Sequence, residues 1–85
     1  MTENKVWVVD AMHDEDTWGT RVCICGSYNK AKVYIENQYK HAKKACDEYD
    51  SITEMETYHR NTCDQFSWCV NKEVTSYFIT CEAVL

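Results

Sequence analysis

Proline is absent from this 85-residue chain, and glycine occurs only at Gly19 and Gly26. Their scarcity argues against long flexible linkers and against a loop-rich disulfide scaffold. Also missing is any apolar stretch near the roughly 20 residues that a bilayer-spanning helix needs. Basic residues are few: nine Lys and Arg face fourteen Asp and Glu, a net charge of −5. Phosphate neutralisation requires clustered cations, so direct binding of nucleic acid is not expected, and neither is a membrane partner. Lys40, Lys43 and Lys44 come nearest to a cluster, but they alternate with apolar positions and read as a solvated helix face. The opening residues, MTENKVWVVD, show no charged region, apolar run and small-residue cleavage site in succession, so no secretory signal is expected. The expected setting is the cytoplasm, where six cysteines are held reduced rather than paired.

What is present suits one small core. A chain of this size buries about 60–65% of the surface its unfolded form exposes. Apolar residues make up 45% of it and aromatics 13%, including three Trp and six Tyr, enough to fill that core. A single domain spanning residues 1–85 is expected.

Along the chain, KVWVVD at residues 5–10 is a run of β-branched and aromatic residues and predicts a strand. Residues 11–20, AMHDEDTWGT, read as a polar, acidic loop. Residues 21–25 predict a second strand, with Val22 and Ile24 on one face and Cys23 and Cys25 on the other. A loop of that length fits an antiparallel hairpin. Gly26 ends the strand and Ser27 is placed as an N-cap. Ala31, Tyr34, Ile35, Gln38, Ala42, Ala45, Cys46 and Tyr49 then recur at steps of three and four, one face of a long helix.

Residues 51–63 are ambiguous. Ser51 and Glu54 match a capping box, and Ile52, Met55, His59 and Cys63 fall on one helical stripe, so a short second helix is expected. Thr53, Thr57 and Thr62 lower helix propensity, and ITEMETY also fits a strand. Residues 66–70 predict a strand with Phe66, Trp68 and Val70 on one face. Asn71 and Lys72 make a turn, and residues 74–85 alternate as a last strand. The predicted fold is α+β, in ββααββ order: an antiparallel four-stranded sheet with one long helix across a face.

The cysteines invite a metal reading. Zinc sites usually pair two CxxC knuckles, or one knuckle with spaced histidines. Here a CxC pair is followed by widely scattered single cysteines, and Cys46 falls in the apolar stripe of the helix. Small buried thiols are the simpler account, and no cofactor is expected. The alternative is a zinc-binding module using Cys23, Cys25, Cys46 and Cys81, or His59 and Cys63. Neither GxSxG, a P-loop nor GxGxxG occurs, and an enzyme is not expected.

The conspicuous exposed cluster is His13, Asp14, Glu15 and Asp16, followed by Trp18. It lacks the spacing of an EF-hand loop. An aromatic beside acids suits an interface anchor with a charged rim, so Asp14, Glu15, Asp16 and Trp18 are the candidate partner-binding residues.

Three segments, KVWVVDAMHDED, GSYNKAKVYIE and SYFITCEAV, resemble a group of small uncharacterised bacteriophage proteins of ββα(β)β type. Those begin with a KVYVV-like strand and carry a Ser-x-x-x-Ala-x-x-Tyr-Ile helix, matched here by Ser27, Ala31, Tyr34 and Ile35. The likeness centres on residues 5–10, 21–36 and 74–84; residues 50–72 depart from it. The resemblance implies a phage-encoded protein that binds and modulates a host protein, such as a transcription, proteolysis or defence component. It carries over no site residue. An acidic mimic of nucleic acid is a further alternative, and homodimer formation an addition, because a four-stranded sheet leaves edges or a bare face to cover.

Overall fold

The structure, a computed structural model, describes residues 4–13 and 19–84. Strand β1 spans Asn4–His13 and β2 spans Thr20–Cys25; helix α1 follows at Tyr28–Ala45, and then come β3 (Glu56–His59), β4 (Asp64–Val70) and β5 (Glu73–Val84). All strand pairs are antiparallel, in the order β2-β1-β5-β4-β3. The α+β class and the single long helix agree with the sequence-based expectation. The sheet, however, has five strands rather than four.

The fifth strand replaces the expected second helix. Residues 51–63 do not coil; they run along the outer edge of β4. Ile52 bridges Val70, and Thr53 takes both polar groups of Cys69, its amide donating to the Cys69 carbonyl at 3.0 Å and its hydroxyl accepting from the Cys69 amide at 2.8 Å. From Glu56 to His59 the ladder with β4 is regular. A bare β4 edge would leave a row of backbone groups without partners, and pairing them outweighs the weak helical pattern of a Thr-rich segment. The capping-box residue Ser51 serves this edge instead, its amide donating to Asn71 Oδ1 at 2.9 Å.

The turn from β4 to β5 is the Asn71–Lys72 pair, as expected, with φ of 51° and 71°. Two residues with positive φ match the right-handed twist of the strands they join. Strand β1 continues three residues further than the sequence suggested, because Ala11, Met12 and His13 pair with Tyr77, Ser76 and Thr75.

Helix α1 starts where expected. Ser27 is the N-cap and its hydroxyl accepts from the Lys30 amide at 3.2 Å; Lys43 and Lys44 sit in the last turn, where positive charge complements the helix dipole. The apolar stripe stops earlier than predicted. Cys46 is the C-cap, Ala45 is exposed and Tyr49 is almost fully exposed. The helix buries Ala31 and Ile35 against Val9 and Ala11 of β1, Phe66 and Trp68 of β4, and Tyr77 and Ile79 of β5. Aromatic rings form the far side of this core: Trp68 stacks on Tyr77 at 5.4 Å, with Tyr39 against Trp68 and Tyr34 against Tyr77.

Candidate functional site

One helix covers one face of a five-stranded sheet, so the alternate residues of every strand form a second face. On β1 these are Val6, Val8, Asp10 and Met12; on β5, Ser76, Phe78, Thr80 and Glu82; on β4, Gln65, Ser67 and Cys69. Strand β2 contributes Val22 and Ile24, which are 42% and 58% exposed, and β3 contributes Tyr58, 43% exposed.

A bulge shapes the β2 side. Val9 pairs with Cys23 and the next residue, Asp10, pairs with Arg21, so Val22 is the extra residue of β2. Bulges bend a strand and re-aim side chains. Here the result places Arg21 on the open face, 3.8 Å from Asp10 and 3.5 Å from Glu82. Val8, between Ile24 and Thr80 in the ladder, is 1% exposed although no described helix lies over it. It is not part of the helix-side core cluster.

The β4–β3 side of the same face is polar. Ser67 and Ser76 share a hydrogen bond at 2.8 Å, Gln65 Nε2 donates to Ser67 at 3.0 Å, and Arg60 Nε donates to Gln65 Oε1 at 2.9 Å. Tyr58 donates to Glu56 beside them. That contact raises Tyr58 above the ordinary tyrosine value. A groove of about 440 Å³ runs over this chain of bonds, walled by Thr53, Glu56, Tyr58 and Val74. The open face is thus half apolar and half hydrogen-bonding, with Arg21 and its two carboxylates between.

The helix side has its own polar feature at the start of α1. Tyr28 donates to Asp64 Oδ2 at 2.6 Å, and His59 Nδ1 meets Asp64 Oδ1 at 3.0 Å. Burial, then the Asp64 carboxylate, pushes Tyr28 up to about 12; the Tyr28 hydroxyl, then His59, hold Asp64 below the ordinary carboxylate value. A phenol so raised remains a donor at neutral pH. The arrangement pins the helix start to β4 and β3, beside a hollow of about 220 Å³ that Cys63 and Cys81 also line.

The thiols divide. Cys23 and Cys25 lie on the helix-side face with their sulfurs 3.4 Å apart. Trp7 pairs with Cys25 on one side and Cys81 on the other, which sets those two thiols two strands apart, roughly 9.5 Å between backbones. Cys46 sits at the opposite end of α1, and Cys81 is exposed. The four do not converge. His59 and Cys63 lose their helical spacing because their segment is a strand and a hairpin loop, closed by the Arg60 amide on the Cys63 carbonyl. Among the described residues no group of three or more His, Cys, Asp or Glu side chains is placed to hold a metal ion.

The described carboxylates are spread over the molecule: Asp10 and Glu82 share Arg21, Asp64 lies under the helix start, and Asp47 and Asp50 cap the turn after α1. Asp14, Glu15, Asp16 and Trp18, the partner-binding residues expected from sequence, lie outside the described residues. Their neighbour His13 is the last described residue of β1. In β4 and β5 the open-face residues Gln65, Ser67, Ser76 and Thr80 interleave with the core, an alternation that separates two faces without saying which one α1 covers. No described helix is long and apolar enough to cross a membrane. Comparison of the chain with protein-family models, with curated proteins and with solved structures finds no match in any of the three.

Proposed function

We propose that this chain is a protein-interaction module that docks a partner protein on the open face of its sheet. The observation that carries this reading is the asymmetry of that face. It presents Val22 and Ile24 to solvent on the edge strand beside the buried Val8, and beyond the Asp10–Arg21 pair it continues through Phe78 into a groove lined by a ready-made hydrogen-bond chain. Specific protein interfaces combine apolar contact area with polar groups that make hydrogen bonds. The fitting partner offers apolar side chains to Val22 and Ile24 and polar groups to the Gln65–Ser67–Ser76 side. A net charge of −5 favours a basic partner surface through electrostatic steering.

Two supports bear on the choice of binding over catalysis. At the hollow beside Tyr28, the Tyr28 hydroxyl and the His59 ring are both committed to Asp64, and a phenol raised to about 12 stays protonated at neutral pH. The resemblance to small phage proteins extends the proposal to its biological form: a phage-encoded inhibitor or modulator of a host transcription, proteolysis or defence protein, acting in the host cytoplasm. The segment carrying Asp14, Glu15, Asp16 and Trp18 is proposed as a second contact region, since in sequence it lies between the two strands that bear most of the apolar patch.

Site-specific photo-crosslinking in host extract tests the docking face. A crosslinker at position 24 should yield a discrete adduct that excess unlabelled protein competes away. Val33, 54% exposed on the outer side of α1, provides the matched control and should yield none. Adducts at position 33 alone would move the interface to the helix. Alanine at both Asp16 and Trp18 should weaken binding with an unchanged circular dichroism spectrum; unaltered binding would remove the loop from the interface.

A further inference from the structure

The interface proposal leaves one chemically distinctive feature unused, the thiol pair on β2. Cys23 and Cys25 stand two residues apart on one face of an edge strand, with Sγ–Sγ of 3.4 Å, the one sulfur–sulfur contact among the described residues. We infer that Cys23 and Cys25 form a redox-active dithiol that exchanges with small-molecule disulfides and closes to a reversible Cys23–Cys25 disulfide.

Two features of the placement favour this chemistry. Both sulfurs are half-buried on an edge strand, so a small disulfide reaches them from the sheet edge. The pair precedes in sequence the N-cap Ser27 of α1, and the positive end of a helix supports a thiolate as nucleophile or leaving group. Burial and then the neighbouring Cys23 thiol raise Cys25 above its ordinary value, with Lys30 acting against that rise. Cys25 is placed as the second thiol of the exchange.

The exchange balances in two displacements. The Cys23 thiolate attacks one sulfur of a disulfide RSSR; a protein–SR mixed disulfide forms and RS⁻ leaves. Cys25, giving up its proton, then attacks the Cys23 sulfur, forming the intrachain S–S bond and expelling the second RS⁻. Two thiols are oxidised, one RSSR is reduced to two RSH, and the two thiol protons go to the two leaving groups. Two residues along a strand span roughly 6.6 Å between Cα atoms, near the upper end of the range a disulfide bridges. Closure therefore draws the strand in, which makes the bond easy to reduce again and suits a reversible site rather than a structural one. The bulge at Val22, directly beside Cys23, gives the strand an irregular point at which to absorb that change.

The test treats the reduced protein with oxidised glutathione, blocks remaining thiols by alkylation and maps the digest. Trypsin cleavage after Arg21 and Lys30 releases residues 22–30, which contain Cys23 and Cys25 and none of the other four cysteines. The expected product is that peptide lacking two hydrogens and carrying no alkyl group. Its formation should be at least about tenfold faster in the folded protein than in concentrated urea, because the fold holds the sulfurs in contact. In Cys25→Ser the reaction should stop at a glutathione adduct on Cys23. A wild-type peptide with both thiols alkylated, or one that keeps glutathione on Cys23 beside an alkylated Cys25, would overturn the assignment. So would equal closure rates with and without urea. The readout needs no partner protein, so it stands or falls apart from the docking proposal.

Discussion

The two faces of this sheet are drawn from the same strands, yet they are organised on different terms. Under α1, alternate residues of β1, β4 and β5 contribute Val9, Phe66 and Ile79, buried against Ala31 and Ile35 by a separate layer. On the other side the next residues along those strands contribute Val8, Phe78, Ser67 and Ser76, with no second layer of described elements above them. Val8 is nevertheless buried, Ser67 and Ser76 satisfy each other, and Arg21 bridges Asp10 and Glu82. A face that has satisfied its polar groups and still shows Ile24 and Val22 to solvent can exist alone and can also accept a partner. Helix-side residues hold the fold, while the exposed open-face residues Val22 and Ile24 are the ones the proposed docking would use.

Substitutions can break or sharpen this contrast. The largest effect is expected from Phe66→Ala, which empties the centre of the helix-side core and should cost about 3–5 kcal/mol in chemical denaturation. A loss under about 1 kcal/mol would mean that the helix does not pack as described. Val8→Ala should cost less, about 2 kcal/mol, because a buried valine removes less apolar volume than a buried phenylalanine. A cost equal to that of Phe66→Ala would show a second core on the open face.

Tyr28→Phe comes next, at about 1 kcal/mol near neutral pH for the lost bond to Asp64. Its signature is the pH profile. Asp64 titrates lower in the folded protein, so its contribution is present above the ordinary carboxylate value and lost as pH falls through the folded one. Tyr28 titrates higher, so its contribution is complete below the ordinary tyrosine value and lost as pH rises toward about 12. Urea midpoints across pH should therefore lose their Tyr28-dependent alkaline fall in the variant and show a shallower acid fall. Unchanged profiles would mean that the bond is not formed in solution.

The smallest stability effect is a gain. Lys72 holds φ of 71°, a conformation that costs a residue with a Cβ but not glycine. Lys72→Gly should raise stability by about 0.5 kcal/mol in the same denaturation experiment. A loss would indicate that the Lys72 side chain contributes contacts beyond its backbone role.

How far these features could be read from sequence varies by element. The helix was legible because Ser27 and the repeat of Ala31, Tyr34, Ile35 and Ala42 agree, and the turn at Asn71 because Asn tolerates positive φ. The face assignment of Cys23 and Cys25 opposite Val22 and Ile24 followed from strand periodicity. Residues 51–63 were not legible, since their conformation is set by hydrogen bonds to Cys69 and by the Ser51–Asn71 contact, partners 16 to 20 residues away. Tyr28 and Asp64 are 36 residues apart and only the fold joins them. Nor does a linear pattern reveal the open face, because its identity depends on which side α1 covers.

The most direct test of the central claim is a binding titration with a partner identified through the position-24 crosslink, using wild type, Ile24→Arg and Val33→Arg. Each variant is accompanied by a thermal unfolding midpoint. The open-face account predicts that Ile24→Arg weakens binding at least about tenfold, that Val33→Arg leaves it unchanged, and that both unfold within a few degrees of wild type. Full binding by Ile24→Arg, or equal losses in the two variants, would contradict it.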